Sequence, residues 1–160
     1  MSDPTASSSA TPGPTSDAAF TAVVGVDGSA NSLSALQWAL AHVAAHGGGT
    51  VRAVMCWGYT TVGAVGLNLG GSLPPAESMQ QAAEDALAEV LADVVAPDGV
   101  TITSTVAEGT ASTVILDNST DADLIVLGKR GRGGFLGLLM GSVANQVANH
   151  ANSPVVIVPA

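Results

Sequence analysis

The chain has 160 residues, 47% of them hydrophobic and only 3% aromatic. That is enough for one domain burying roughly 68–70% of its unfolded surface, around a core of Ala, Val and Leu. A net charge of −9 argues against nucleic acid or an anionic membrane as partner, because both would repel it. No apolar run approaches the ~18 residues of a membrane span, and the start lacks a basic stretch followed by an apolar one. The single cysteine, Cys56, suits a reducing compartment, so the expectation is a soluble cytoplasmic protein.

Residues 1–20 are mostly Ser, Thr, Pro, Ala and Gly. Such a composition buries too little apolar surface to offset its ordering entropy, so a disordered tail is expected ahead of one domain over 21–160. Thr21 to Val26 reads as a β-branched strand running into Asp27-Gly28-Ser29. Leu33, Leu36, Leu40 and Val43 then recur at helical spacing, with Ser29 or Asn31 as cap and Gly47-Gly48-Gly49 as stop. Thr50 to Trp57 is the second strand. Gly58 to Pro74 is a glycine-rich connection, long enough to be functional or mobile.

Pro74-Pro75 starts a helix with an apolar stripe of Met79, Ala83, Ala86, Leu87, Val90 and Val94. Val100 to Val106 alternates apolar and polar, as a half-exposed strand near a sheet edge does. Glu108-Gly109-Thr110 leads into a short helix carrying Val114 and Ile115. Asp123 to Gly128 is a continuous apolar strand; Val143, Ala144, Val147, Ala148 and Ala151 mark one face of a last helix; Ser153-Pro154 introduces Val155 to Val158. This alternation predicts an α/β fold: a single open five-stranded parallel sheet with helices on both faces, Rossmann-like, with ligands at the carboxyl ends of the strands.

Gly128 to Ser142 carries three of the four Lys and Arg residues, Lys129, Arg130 and Arg132, among repeated glycines. Strand, basic glycine loop and helix together favour an anion: glycines let amides converge, the helix start adds open donors, and cations add Coulomb attraction. Phosphate is the expected guest. The P-loop pattern is absent, and no Gly-x-Gly-x-x-Gly follows the first strand, which disfavours nicotinamide binding.

What is present is Gly128-x2-Gly131-x9-Gly141-Ser142. With Asp27, the Asp123–Gly128 approach and the Ser153-Pro154 ending, the sequence resembles the universal stress protein family over nearly all of 21–160, and its ATP-binding subgroup in particular. The resemblance implies an adenine nucleotide alpha hydrolase-like fold that binds ATP, with or without Mg2+. It implies that Leu127, Gly128, Lys129, Gly131 and Arg132 lie along ribose and phosphates, and that Gly141, Ser142 and Val143 receive phosphates at the helix start. It also implies that Asp27, with Gly25 and Val26, lies near base and ribose, and that Cys56 lies beside the adenine. A homodimer through Val155 to Val158 is implied as well. Lys129 departs from the family, which often has a small polar residue there, and either adds phosphate affinity or crowds the ribose.

Plainer readings stand beside these. The loop cations could simply be solvated, and Asp27 could cap the first helix instead of meeting a ribose. His42 and His46, four apart, lack the Glu of a zinc-protease helix and read as surface histidines, as does His150 near its helix end. Cys56 reads as inert packing, and Trp38 and Trp57 as core or interface anchors. No nucleophile and base are paired by a recognisable motif. The expected function is a non-catalytic ATP-binding stress regulator or nucleotide sensor; the alternatives are a nucleotide-free dimeric interaction module of the same fold, or a slow ATPase.

Overall fold

The computed structural model describes residues 19–58, 74–132 and 139–159. The expectations for most of the N-terminal tail and of the Gly58–Pro74 connection lie outside the described residues. Among the described residues nine elements alternate: β1 (Phe20–Gly25), α1 (Ala30–Ala45), β2 (Gly49–Trp57), α2 (Ala76–Ala92), β3 (Val100–Glu108), α3 (Ala111–Asp117), β4 (Leu124–Gly128), α4 (Ser142–His150) and β5 (Val155–Val158). The strands form one open sheet in the order β3-β2-β1-β4-β5, and every pairing is parallel. Parallel neighbours need crossovers, and here each crossover carries a helix.

Burial divides the core into two layers because successive strand residues point to opposite faces. On one face Ala22, Val24, Val51, Ala53 and Val126 pack beneath Leu36, Leu40 and Val43 of α1 and Leu87 of α2. On the other, Val23, Val54, Ile125 and Leu127 pack beneath Val114 and Ile115 of α3 and Ala144 and Val147 of α4. Central strands are covered twice, which is why β1 and β4 read as unbroken apolar runs. β3 is an edge, and its alternation is that of a strand with one face open to water.

Ser29 is the N-cap of α1, its hydroxyl accepting from the Ser32 amide at 3.3 Å. At the other end the Gly48 amide donates to the Val43 carbonyl at 3.0 Å, with Gly47 at φ +93. The glycine stop therefore works as expected, by a left-handed turn that costs other residues Cβ strain. Two helical stripes differ from expectation. On α2 only Leu87 is fully buried and Ala86 is exposed, because this helix lies over the edge of the sheet where little remains to cover it. On α4 Ala148 faces solvent while Ala144 and Val147 carry the packing.

Candidate functional site

The sheet reverses its winding between β1 and β4, since β1 connects onward to β2 on one side and pairs with β4 on the other. A crevice forms where the two crossovers part, outside the carboxyl ends of the strands. Asp27 leaves β1 at that point. Its Oδ1 accepts from the Ser29 amide at 2.9 Å and the Ser29 hydroxyl at 2.6 Å, and its Oδ2 accepts from the Arg132 amide at 2.9 Å. Ser29 therefore caps α1, and Asp27 holds Ser29 to the glycine loop rather than capping the helix itself.

Two glycines make that contact sterically feasible. A Cβ on Gly131 would stand 2.6 Å from Asp27 Oδ2, and one on Gly128 would stand 2.7 Å from the backbone carbon and oxygen of Asn31. Both positions exclude a side chain because carboxylate and helix backbone approach too closely. The ends of the loop are tied as well: the Lys129 amide donates to the Val158 carbonyl at 2.8 Å, and the Gly141 amide to the Lys129 carbonyl at 2.9 Å.

Among the described residues, α4 starts beside this knot without a side-chain cap. Its first intrahelical bond runs from the Asn145 amide to the Gly141 carbonyl at 3.0 Å. The amides of Ser142, Val143 and Ala144 precede it and, among the described residues, are the open donors of the helix start, at the positive end of its dipole.

These elements enclose a cavity of about 790 Å³. Every site residue picked from the sequence lines it: Gly25, Val26 and Asp27 from β1 and its exit, Cys56 from β2, Leu127 and Gly128 from β4, Lys129, Gly131 and Arg132 from the loop, and Gly141, Ser142 and Val143 at the start of α4. Sequence reasoning missed the walls supplied by other crossovers, among them Val54 and Met55 of β2, Val90 of α2, and Thr110 and Ile115 around α3. The rule that strand ends face the crevice could have flagged Gly109-Thr110, which follows β3; nothing local marks Ile115 or Val90.

The site is polar on one side. Burial pushes the Asp27 carboxyl up, but the hydrogen bonds from the Ser29 hydroxyl, the Ser29 amide, the Arg132 amide and the Ser32 hydroxyl outweigh it and leave the group below its ordinary value. Asp27 is thus an anion at neutral pH. Burial pushes the Cys56 thiol up by more than the hydrogen bond with its own backbone lowers it, and the nearby Asp27 charge adds a smaller rise; it stays a thiol and is a poor nucleophile. The Arg132 guanidinium folds back over Gly28, where a Cβ would meet Nη2 at 2.7 Å. The remaining cation of the chain, Arg52, is committed elsewhere, to the Asn118 carbonyl at 2.7 Å and to both Asp121 carboxylate oxygens at 2.9 and 3.1 Å.

Outside the cavity, the His150 Nδ1 bonds the Gln146 carbonyl at 2.8 Å in the last turn of α4. Trp57 is buried and its Nε1 donates to Gln80 of α2. Among the described residues, no group of three or more His, Cys, Asp or Glu could hold a metal, and no helix is long and apolar enough to cross a membrane.

Compared with known proteins, residues 20–159 match the model of the universal stress protein family. The chain belongs to the universal stress protein family. A universal stress protein of Mycobacterium tuberculosis is 40% identical over 79 residues, which are 49% of this chain and 27% of that relative. Matches to curated relatives cover between 15% and 28% of those proteins' own length. Among solved structures, universal stress protein UspA from Lactobacillus plantarum superposes with a TM-score of 0.67 at 20% identity, covering 88% of this chain and 98% of its own. A universal stress protein solved in complex with cAMP gives a TM-score of 0.54 at 26% identity, covering 89% of this chain and 98% of its own. The parallel order β3-β2-β1-β4-β5 and the cavity at its switch point are thus set in a family fold.

Proposed function

We propose that the cavity holds an adenine nucleotide, ATP in the first instance, and that the protein acts in the cytoplasm as a non-catalytic nucleotide sensor of the stress response. The observation that carries this reading is the uncapped start of α4: the open amides of Ser142, Val143 and Ala144 face a cavity that Lys129 and Arg132 also line. An anion is the complement of that arrangement. The volume of about 790 Å³ lies within the ~300–1,000 Å³ of small-molecule sites. Val26, Val54, Met55 and Ile115 give the lining an apolar surface that suits a flat base, and Cys56 lines it too. Asp27, also in the lining, suits a ribose hydroxyl. That a relative 26% identical was solved with cAMP supports an adenine nucleotide as the ligand class.

Asp27 is the one carboxylate among the described residues that line the cavity, and both its oxygens already accept protein hydrogens. A Mg2+ ion would therefore arrive on the phosphates and be held mainly by them. The same commitment leaves no free carboxylate base among the described residues of the lining, which favours storage or sensing over hydrolysis. β5 pairs with β4 alone among the described residues, and its apolar open edge supports a homodimer through Val155 to Val158. Leu139, 85% exposed beside the loop, favours a second reading, a protein-docking role for the same rim.

The test is to denature protein purified without added nucleotide and chromatograph the supernatant. Stoichiometric ATP or ADP supports the proposal; none, together with no uptake of added ATP, leaves the docking role. Incubation with labelled ATP and Mg2+ separates a sensor, which returns ATP intact, from a slow ATPase.

A further inference from the structure

α1 ends in a feature that the cavity does not use. His42 and His46, four residues apart, project from one face of its last turns. Their ring centres stand 4.2 Å apart with planes tilted by 42°. The His46 Nδ1 lies 2.9 Å from the His42 carbonyl; a carbonyl only accepts, so this nitrogen carries a proton, and in the neutral ring the lone pair is on Nε2. That is the arrangement in which a metal-binding histidine is normally fixed, one nitrogen bonded to a carbonyl and the other free. Neither ring nitrogen of His42 has a hydrogen-bond partner among the described residues.

The rings are held instead by their faces. His42 stacks on Trp38 at 4.6 Å and 15°, while His46 stacks on Phe20 at 4.9 Å and 25°. The edge of Phe20 also meets His42 at 5.9 Å. This ladder orders both imidazoles without consuming the nitrogens that could bind. Two imidazoles bound at ~2.0–2.1 Å with about a right angle between the bonds bring their ring centres to roughly 4.5 Å. The observed 4.2 Å is close to that spacing.

We propose that His42 and His46 form a two-histidine site for a divalent transition metal, Cu2+ in preference to Ni2+ or Zn2+, with water filling the other positions. Imidazole nitrogens set the metal class and the order of affinity, and they exclude the hard cations Mg2+ and Ca2+. The chain's net charge of −9 draws cations towards it. The site lies at the end of α1 remote from Asp27, about 18–24 Å along a helix of 16 residues. It is therefore independent of the nucleotide cavity.

The experiment is to titrate CuCl2 into the full chain at neutral pH, following tryptophan emission and electron paramagnetic resonance. One equivalent quenches emission through Trp38, EDTA reverses it, and the resonance shows nitrogen donors. His42→Gln and His46→Gln each weaken binding by about tenfold or more, since the second imidazole acts at high effective concentration. His150→Gln and excess Mg2+ change nothing, and Trp38→Phe removes the quench while binding remains. Wild-type affinity in both His42→Gln and His46→Gln, or a sulfur-ligated copper signal from Cys56, would overturn the proposal.

Discussion

The Asp27 carboxylate accepts the Arg132 amide at 2.9 Å, joining two points 105 residues apart in the chain. The same carboxylate holds Ser29, the cap of α1. One side chain therefore fixes the exit of β1, the start of α1 and the glycine loop together. Asn at this position has one oxygen where Asp has two, so it can satisfy Ser29 or Arg132 but not both. Asp27→Asn is expected to lower stability by about 1–2 kcal/mol, a charged hydrogen bond discounted for partial exposure, and to weaken ATP binding further. Thermal unfolding and calorimetric titration read the two effects; wild-type values for both would contradict the linkage.

The folded Asp27 carboxyl lies below its ordinary value of 3.8. A depressed carboxylate contributes stability that is fully present above the unfolded pKa and is lost as pH falls through the folded one. Wild-type stability should thus decline below about pH 4, and the decline should be shallower in Asp27→Asn, where this group no longer titrates. Urea unfolding of both proteins between neutral pH and pH 3 checks the difference in slope.

Gly131→Ala places a methyl where Asp27 Oδ2 now stands 2.6 Å from the ideal Cβ position. The loop has to back away from the carboxylate, taking the Arg132 amide with it. ATP affinity is expected to fall about tenfold or more, equivalent to ~1.4 kcal/mol, and stability to fall by about 1 kcal/mol with the lost Arg132–Asp27 hydrogen bond. Titration calorimetry against wild type measures it.

Gly141 has φ −69 and ψ 157, which any residue adopts. Its Cβ would meet the Lys129 carbonyl at 3.3 Å and Arg130 Cα at 3.4 Å, so alanine fits with a small shift while the γ-carbons of valine wedge the loop away from α4. Gly141→Ala should bind ATP nearly as wild type and Gly141→Val should not. The pair separates loss of the glycine from loss of the geometry.

Lys129 lines the cavity beside the open amides, and its main chain ties β5 and α4. Lys129→Ser keeps those backbone bonds and removes only the cation. The expected result is an ATP affinity several-fold weaker, about 0.5–1 kcal/mol, with a gentler dependence on salt. An unchanged or tighter affinity would show instead that the lysine crowds the ribose.

Strand pattern and glycine spacing carried the fold and the polar half of the site into view. Asp123 to Gly128 reads as a strand because a doubly covered strand can be apolar throughout, and Val100 to Val106 alternates because its sheet edge is half open. What stayed hidden depends on how crossovers close in space. Ile115 and Val90 look like ordinary helix core until α3 and α2 are seen to wall the cavity. Ser29 and Asp27 are both good caps by type, and only the position of Arg132 decides that Ser29 takes the helix while Asp27 takes the loop.

The most direct test follows the backbone amides by nuclear magnetic resonance while ATP is added to nucleotide-free protein. The account predicts saturable shifts at Ser142, Val143, Ala144 and Gly131, with Cys56 and Val26 moving in step and His42 and His46 unmoved. Shifts absent from the start of α4, or confined to residues outside the cavity, would contradict it.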